Sequence, residues 1–141
     1  MFVEDERRLF EAISAPIVAS DGHGVIAFLN RPAEELLGWT FAEVEGQRLS
    51  ALMPERMRAR HEAGIHRYLA THESRLLGKP VRVPARRKDG TEIDIDLTLR
   101  LFRRPDGTDL IVGTLLPAGQ ERPPGLIELE TKLQKRAYQL V

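Results

Sequence analysis

An α+β domain, built on a five-stranded antiparallel sheet with helices gathered on one face, is the architecture this sequence predicts. Three observations carry that expectation. Two short β-rich runs, Ile17 to Ala19 and Val25 to Leu29, are joined by the turn-forming Asp21-Gly22-His23-Gly24. The segment after them breaks into short helical pieces. Farther on, Ile93, Ile95, Leu97, Leu99 and Leu101 alternate with Asp94, Asp96, Thr98 and Arg100, the period of a half-buried strand.

The elements follow in order. "VEDERRLFEAI" sets Val3, Leu9, Phe10 and Ile13 at helical spacing, with its acids early where the helix dipole favours them, and predicts a leading amphipathic helix. After the first hairpin, Asn30 as cap, Pro32 in the first turn and Gly38 as stop delimit a short helix. Thr40 and Glu43 make a capping box for another turn ended by Gly46, and Ser50 to Met53 form one more before Pro54. Helices this short are not stable alone, so Leu36, Leu37, Trp39, Phe41, Val44 and Leu49 must pack on something larger.

A longer helix is predicted from Glu55 to Ala70, with Met57, His61, Ile65 and Tyr68 or Leu69 aligned on one face. Val81, Val83 and Ala85 then alternate with Arg82, Pro84 and Arg86, "KDGT" turns the chain into the long alternating strand, and "RPDGTD" turns it again into "LIVGTLL", a more fully buried last strand. The expected organisation is a flanking helix over 1–13, a domain over 14–117, a Pro/Gly linker over 118–125 and a C-terminal helix over 126–141. On that last helix Leu126, Leu129, Leu133 and Leu140 lie on a heptad-like seam interrupted by Arg136. Such a seam predicts a homodimer through the flanking helices, or continuation into a downstream output domain, in preference to packing back onto its own domain.

Composition narrows the function. The chain has 141 residues, enough for one core, and its 21 basic residues balance 21 acidic ones, which removes the electrostatic case for nucleic acid as a partner. The locally basic runs from Arg56 to Arg60 and from Arg82 to Lys88 are read as solvated faces. Cysteine is absent, which excludes disulfides, thiolate metal sites, a cysteine nucleophile and a cysteine-anchored chromophore. No apolar run approaches the ~20 residues of a membrane span, and the acidic start lacks the pattern of a signal peptide; no direct membrane insertion and a cytoplasmic location are expected. The histidines do not compose a metal site. His23 sits in a turn, His66 is about 140° around the helix from His61, and His72 lies beyond the helix end. Asp94 and Asp96 read as a solvated strand face, and with no nucleophile–base pair or phosphate loop the chain is expected to be noncatalytic, with no catalytic residues.

Several stretches, in this order, resemble a PAS domain, the sensory module of bacterial signalling proteins: "ISAPIVASDGHGVIAFLNRPAEELLGW", "EVEGQRLSALMPE" and "ARRKDGTEIDIDLTL". The resemblance spans approximately residues 6–117. It implies a five-stranded sheet cupped around a small pocket, with the helix that bears His61 as part of its wall. It also implies a sensory and dimerisation role in signal transduction, such as a two-component system, in which a bound small ligand or partner biases an attached output. The implied pocket is lined by Met57, His61, Ile65, Tyr68, Val81, Ile95 and Leu97. Arg58-Ala59-Arg60-His61 further resembles the haem PAS domains of nitrogen-fixation oxygen sensors, and that match implies His61 as the axial ligand of haem b. Those sensors place an oxygen-binding arginine where Val81 stands in "GKPV". A flavin photosensor of the adduct-forming kind and a thioester-linked chromophore are set aside for want of a thiol, while a noncovalent flavin stays open, with no specific polar constellation in the sequence to read its ring. A metabolite pocket, a haem pocket and an interior filled by its own side chains stay open as alternatives. "LLPAGQ" stands where the family usually joins sheet to output helix through a polar junction.

Overall fold

The computed structural model describes residues 3–72, 79–120 and 125–141, the side chains of 125 and 126 excepted. The elements are α1 (Glu4–Glu11), β1 (Ile17–Ser20), β2 (Ile26–Leu29), α2 (Arg31–Leu37), α3 (Phe41–Val44), a 3-10 turn (Leu49–Leu52), α4 (Glu55–Thr71), β3 (Val81–Arg86), β4 (Glu92–Arg103), β5 (Asp109–Pro117), α5 (Gly125–Gln134) and β6 (Gln139–Leu140). The sheet is antiparallel in the order β2-β1-β5-β4-β3, and β6 adds to β4. A sixth strand thus joins the expected five.

Side-chain alternation divides the sheet into two faces. Val18, Ile95 and Leu115 point inward and pack with Leu29, Ala33, Leu37, Val44 and Leu52 beneath α2, α3 and the 3-10 turn. Ile17, Ala19, Phe102, Leu110, Val112 and Leu116 point to the other side, where Leu9, Phe10 and Ile13 of the leading segment and Leu129 and Leu133 of α5 cover them. The flanking helices therefore close the outer face. This changes the reading of two sequence features. Thr98, placed by alternation on a solvated face, is 4% exposed, and Arg100 beside it pairs with Glu130 of α5 at 3.6 Å. The leucine seam turns inward: Leu129 and Leu133 are fully buried within their own chain, while the side chain of Leu126 lies outside the described residues.

The C-terminal helix also ends sooner than its periodicity predicts. Ala137 adopts φ 65°, Tyr138 N–H donates to the Leu133 carbonyl, and this left-handed cap turns the chain so that Phe102 pairs with Leu140 and Arg103 with Gln139. The helical pattern was cut by an edge: β3 covers β4 only from Glu92 to Leu97, leaving the later residues of β4 to accept another strand. Of the proposed linker, residues 121–124 lie outside the described residues, as do 73–78 between α4 and β3.

Asn30 does more than cap α2. Its Oδ1 accepts from the Ala33 amide at 3.2 Å and from the Ile17 amide at 2.8 Å, and its Nδ2 donates to the carbonyls of Ala15 at 2.8 Å, Ile13 at 3.2 Å and Phe10 at 3.5 Å. The side chain is fully buried. Asn30→Asp keeps the shape, removes both amide donors and sets a carboxylate against three carbonyls; a loss of about 3 kcal/mol or more in urea unfolding is expected. A loss below about 1 kcal/mol would show that the carbonyls find other donors.

Candidate ligand-binding site

The predicted site rests on α4, and this helix is fastened unlike the others. Pro54 precedes its first turn, and His72, left-handed at φ 57°, closes its end by donating its N–H to the Tyr68 carbonyl. Along its 17 residues only Tyr68 is buried; Met57, His61 and Ile65 are partly covered. Three polar contacts do much of the holding. Arg56 grips Glu92 at the start of β4 through two bonds of 2.8 and 2.7 Å. Arg48 grips Glu62 at 2.9 and 2.7 Å and also donates to the His23 carbonyl, which ties the middle of α4 to the β1–β2 turn. The Tyr68 hydroxyl donates to Asp109 at 2.8 Å, at the start of β5. Burial, and then the Asp109 carboxylate, push the Tyr68 phenol up to about 12, so it stays a donor throughout the physiological range.

Backbone conformation admits the helix to the turn. Gly24 has the left-handed φ of 82° that favours glycine, and a Cβ there would stand 2.8 Å from Ile65 Cδ1, so any other residue would strain the turn and displace the end of the Ile65 side chain.

His61 presents the chemical feature of the site. Its Nδ1 is buried without a hydrogen-bond partner among the described residues. Burial lowers its pKa below the ordinary 6.5, while neighbouring Glu62 acts in the opposite sense and Arg48 adds to the lowering. A neutral imidazole so placed has an unused hydrogen-bonding position that a polar atom of a ligand would complete.

The other predicted residues do not all converge on it. Val81 pairs with Leu97, and Val83 with Ile95, so these residues share one patch of β3 and β4. That patch is tightly filled beside β5: a Cβ on Gly113 would lie 3.1 Å from Leu99, 3.2 Å from Leu97 and 3.3 Å from Val18. Tyr68 belongs elsewhere. Its partner Asp109 pairs with Arg103, six strand residues beyond Leu97 or about 20 Å along β4. The predicted lining thus resolves into a sheet patch (Val81, Ile95, Leu97), a helix row (Met57, His61, Ile65) and a remote fastening (Tyr68). Arg48, Glu62, Glu92 and Asp109 were not legible as site residues, because each is joined to its partner by tertiary placement and not by any spacing in the chain. A separate surface groove between α2 and the β3–β4 hairpin is lined by Glu35, Leu36, Gly38, Arg87, Lys88 and Asp89. Among the described residues, no group of three or more His, Asp or Glu is placed to hold a metal ion, and no helix is long and apolar enough to cross a membrane.

The layout of helices packed on one antiparallel sheet agrees with a match of the PAS fold family to residues 4–117. The chain belongs to the PAS family. Sensor protein FixL of Bradyrhizobium diazoefficiens is 36% identical over 93 residues, covering 66% of this chain and 18% of FixL. The chain spans under a fifth of the length of the curated relatives it matches. Among solved structures, the LOV protein of Rhodobacter sphaeroides superposes with a TM-score of 0.62 at 19% identity, over 92% of this chain and 77% of that one. An RNA-binding light-oxygen-voltage receptor reaches 0.61 at 21% identity, over 93% of this chain and 36% of its own. At these identities the likeness is one of fold.

The matches correct the cofactor expectation. The sequence reading left the cofactor open, with haem b through His61 as one candidate, and excluded flavin of the cysteine-adduct kind, yet LOV proteins, which bind flavin, share this PAS scaffold. The missing thiol removes one bond to a flavin ring and leaves the scaffold that such proteins use.

The lowered His61 pKa has a determinate consequence for pH. The unfolded imidazole binds a proton near 6.5 and the folded one only at lower pH, so the unfolded state takes up more protons in the interval between. The stability His61 contributes is complete above 6.5 and is lost as pH falls from there through the folded value. Thermal midpoints measured from about pH 7.5 downwards, before the carboxylates titrate near 4, are expected to fall more steeply for the wild type than for His61→Leu. Equal slopes would mean that the ring titrates freely.

Proposed function

We propose that this PAS domain is a noncatalytic, cytoplasmic sensory module of a signal-transduction protein, which takes a small ligand or a partner between α4 and the sheet and biases an attached output. The observation that carries this reading is the pairing of a helix held largely by polar contacts with a buried imidazole nitrogen that has no hydrogen-bond partner among the described residues. Exposed ion pairs are weak, salt-screened fastenings, so α4 is free to shift at small cost compared with the apolar core of the sheet. A ligand that engages one position of α4 better than another would then move the population between them. Similarity to a sensor protein supports the same reading at the level of role.

Homodimerisation belongs to this reading in a limited form. With Leu129 and Leu133 turned inward, the apolar surface that the described side chains of α5 offer a second copy is chiefly Ile127, 70% exposed. A patch that small supports a weak, concentration-dependent dimer.

Native mass spectrometry of the purified protein tests the ligand half. A bound mass beyond the polypeptide is expected in the wild type and absent from His61→Ala with an unchanged circular dichroism spectrum. Bare polypeptide in every preparation would overturn the ligand reading, and an unchanged adduct in His61→Ala would remove His61 from it.

A further inference from the structure

Where the two flanking helices meet on the outer face of the sheet, a carboxylate is buried. Glu6 of α1 is 1% exposed. Its Oε2 accepts from Arg104 Nε at 2.8 Å and from the Tyr138 hydroxyl at 2.5 Å; its Oε1 accepts from Arg104 Nη2 at 3.3 Å and from the Val3 amide at 3.1 Å. Arg104 lies just past β4, where Nη1 also donates to Thr108 at 3.3 Å, and its side chain is 11% exposed. Tyr138 follows the left-handed cap of α5. One side chain therefore gathers groups 98 and 132 residues away. An outer link runs beside it, from Arg136 to Asp5 at 2.6 and 3.5 Å.

A carboxylate removed from water is stable only while donors surround it, and withdrawal of one donor leaves the rest of the site facing a charge less well compensated. Burial, and then Glu6, raise the Tyr138 phenol well above its ordinary value of 10, so its hydroxyl is a constant donor. Leu129 and Leu133 of α5 share one apolar cluster with Leu9, Phe10 and Ile13, contacts that carry little direction of their own; the Glu6 bonds add the directional contacts that fix one seat for both helices together.

The geometry points to Glu6, Arg104 and Tyr138 as a coupling joint, through which displacement of α1 unseats the α5–β6 arm and release of the arm loosens α1. Such coupling is reciprocal of thermodynamic necessity. It deepens the sensory reading above by giving the module a shared response at its two ends. Its test requires no ligand, so failure of the joint and failure of ligand binding are distinguishable.

The experiment is amide hydrogen exchange on the full chain, resolved by mass spectrometry. Tyr138→Phe removes one hydroxyl and retains the ring. Exchange is expected to quicken about tenfold in residues 129–134 of α5 and equally in residues 7–11 of α1, the equivalent of one hydrogen bond to a charged group, with β1 and β5 unaltered. Glu6→Gln is expected to quicken both helices, and the double variant to exchange no faster than Glu6→Gln alone, since the hydroxyl then has no carboxylate to lose. Unchanged exchange in α1 of Tyr138→Phe overturns the joint, as does multiplication of the two effects in the double variant. Should Glu6→Gln fail to fold, Tyr138→Phe decides by itself.

Discussion

The fold depends on the amide of Asn30. Three segments that share no periodicity, the exit from α1, the first residue of β1 and the first turn of α2, all hand backbone groups to this one buried side chain. Buried carbonyls and amides without partners are expensive, and an irregular stretch such as 12–16 has no ladder of its own to satisfy them. Asn30 supplies two N–H donors and a carbonyl acceptor from one rigid group, whereas an ionised aspartate has no donor and a serine hydroxyl has a single one. By fixing where α1 ends it sets Phe10 against Phe28, whose ring stands edge-on to it with centroids 6.2 Å apart, and so positions the cover of the outer face.

The two faces of the sheet are consequently held by different physics. The outer cover is apolar and is keyed by a buried carboxylate, an arrangement that specifies one geometry at the expense of desolvation. The helix over the other side is keyed by exposed or half-exposed ion pairs that water and salt weaken. Rigidity on one side and compliance on the other suit a module in which the helix near a ligand moves and the helices near the termini report it.

Where local chemistry decides a feature, the sequence was readable. Asn30, Gly38 and the Thr40–Glu43 box delimit helices at the positions expected, and Gly38 takes the left-handed φ of 77° that its place as a stop requires. The strict alternation from Ile93 to Leu101 produced the long strand β4, and Pro84 stands in β3, an edge strand as its missing N–H demands. What period alone could not say was which surface faces water. Thr98 and the leucines of α5 each obeyed their period, yet all are buried, and Arg100 of β4 meets Glu130 of α5 across some thirty residues of chain. The site was legible in the same degree: the row Met57, His61, Ile65 emerged as one side of a helix, whereas the place of Tyr68 depends on Asp109, forty-one residues later.

The addition of β6 bears on how copies of this chain can associate. Across the described residues, the backbone of β2 is engaged from outside by residues 46–48, through Ile26 N–H to Gln47 and Gly46 N–H to Ile26; β3 carries a proline; and the bare end of β4 is paired by Gln139 and Leu140. A sheet finished in this way offers little template for the strand of another molecule. Association is steered away from edge-to-edge growth, the geometry that propagates into fibrils, and toward side-chain surfaces that close on themselves as finite pairs.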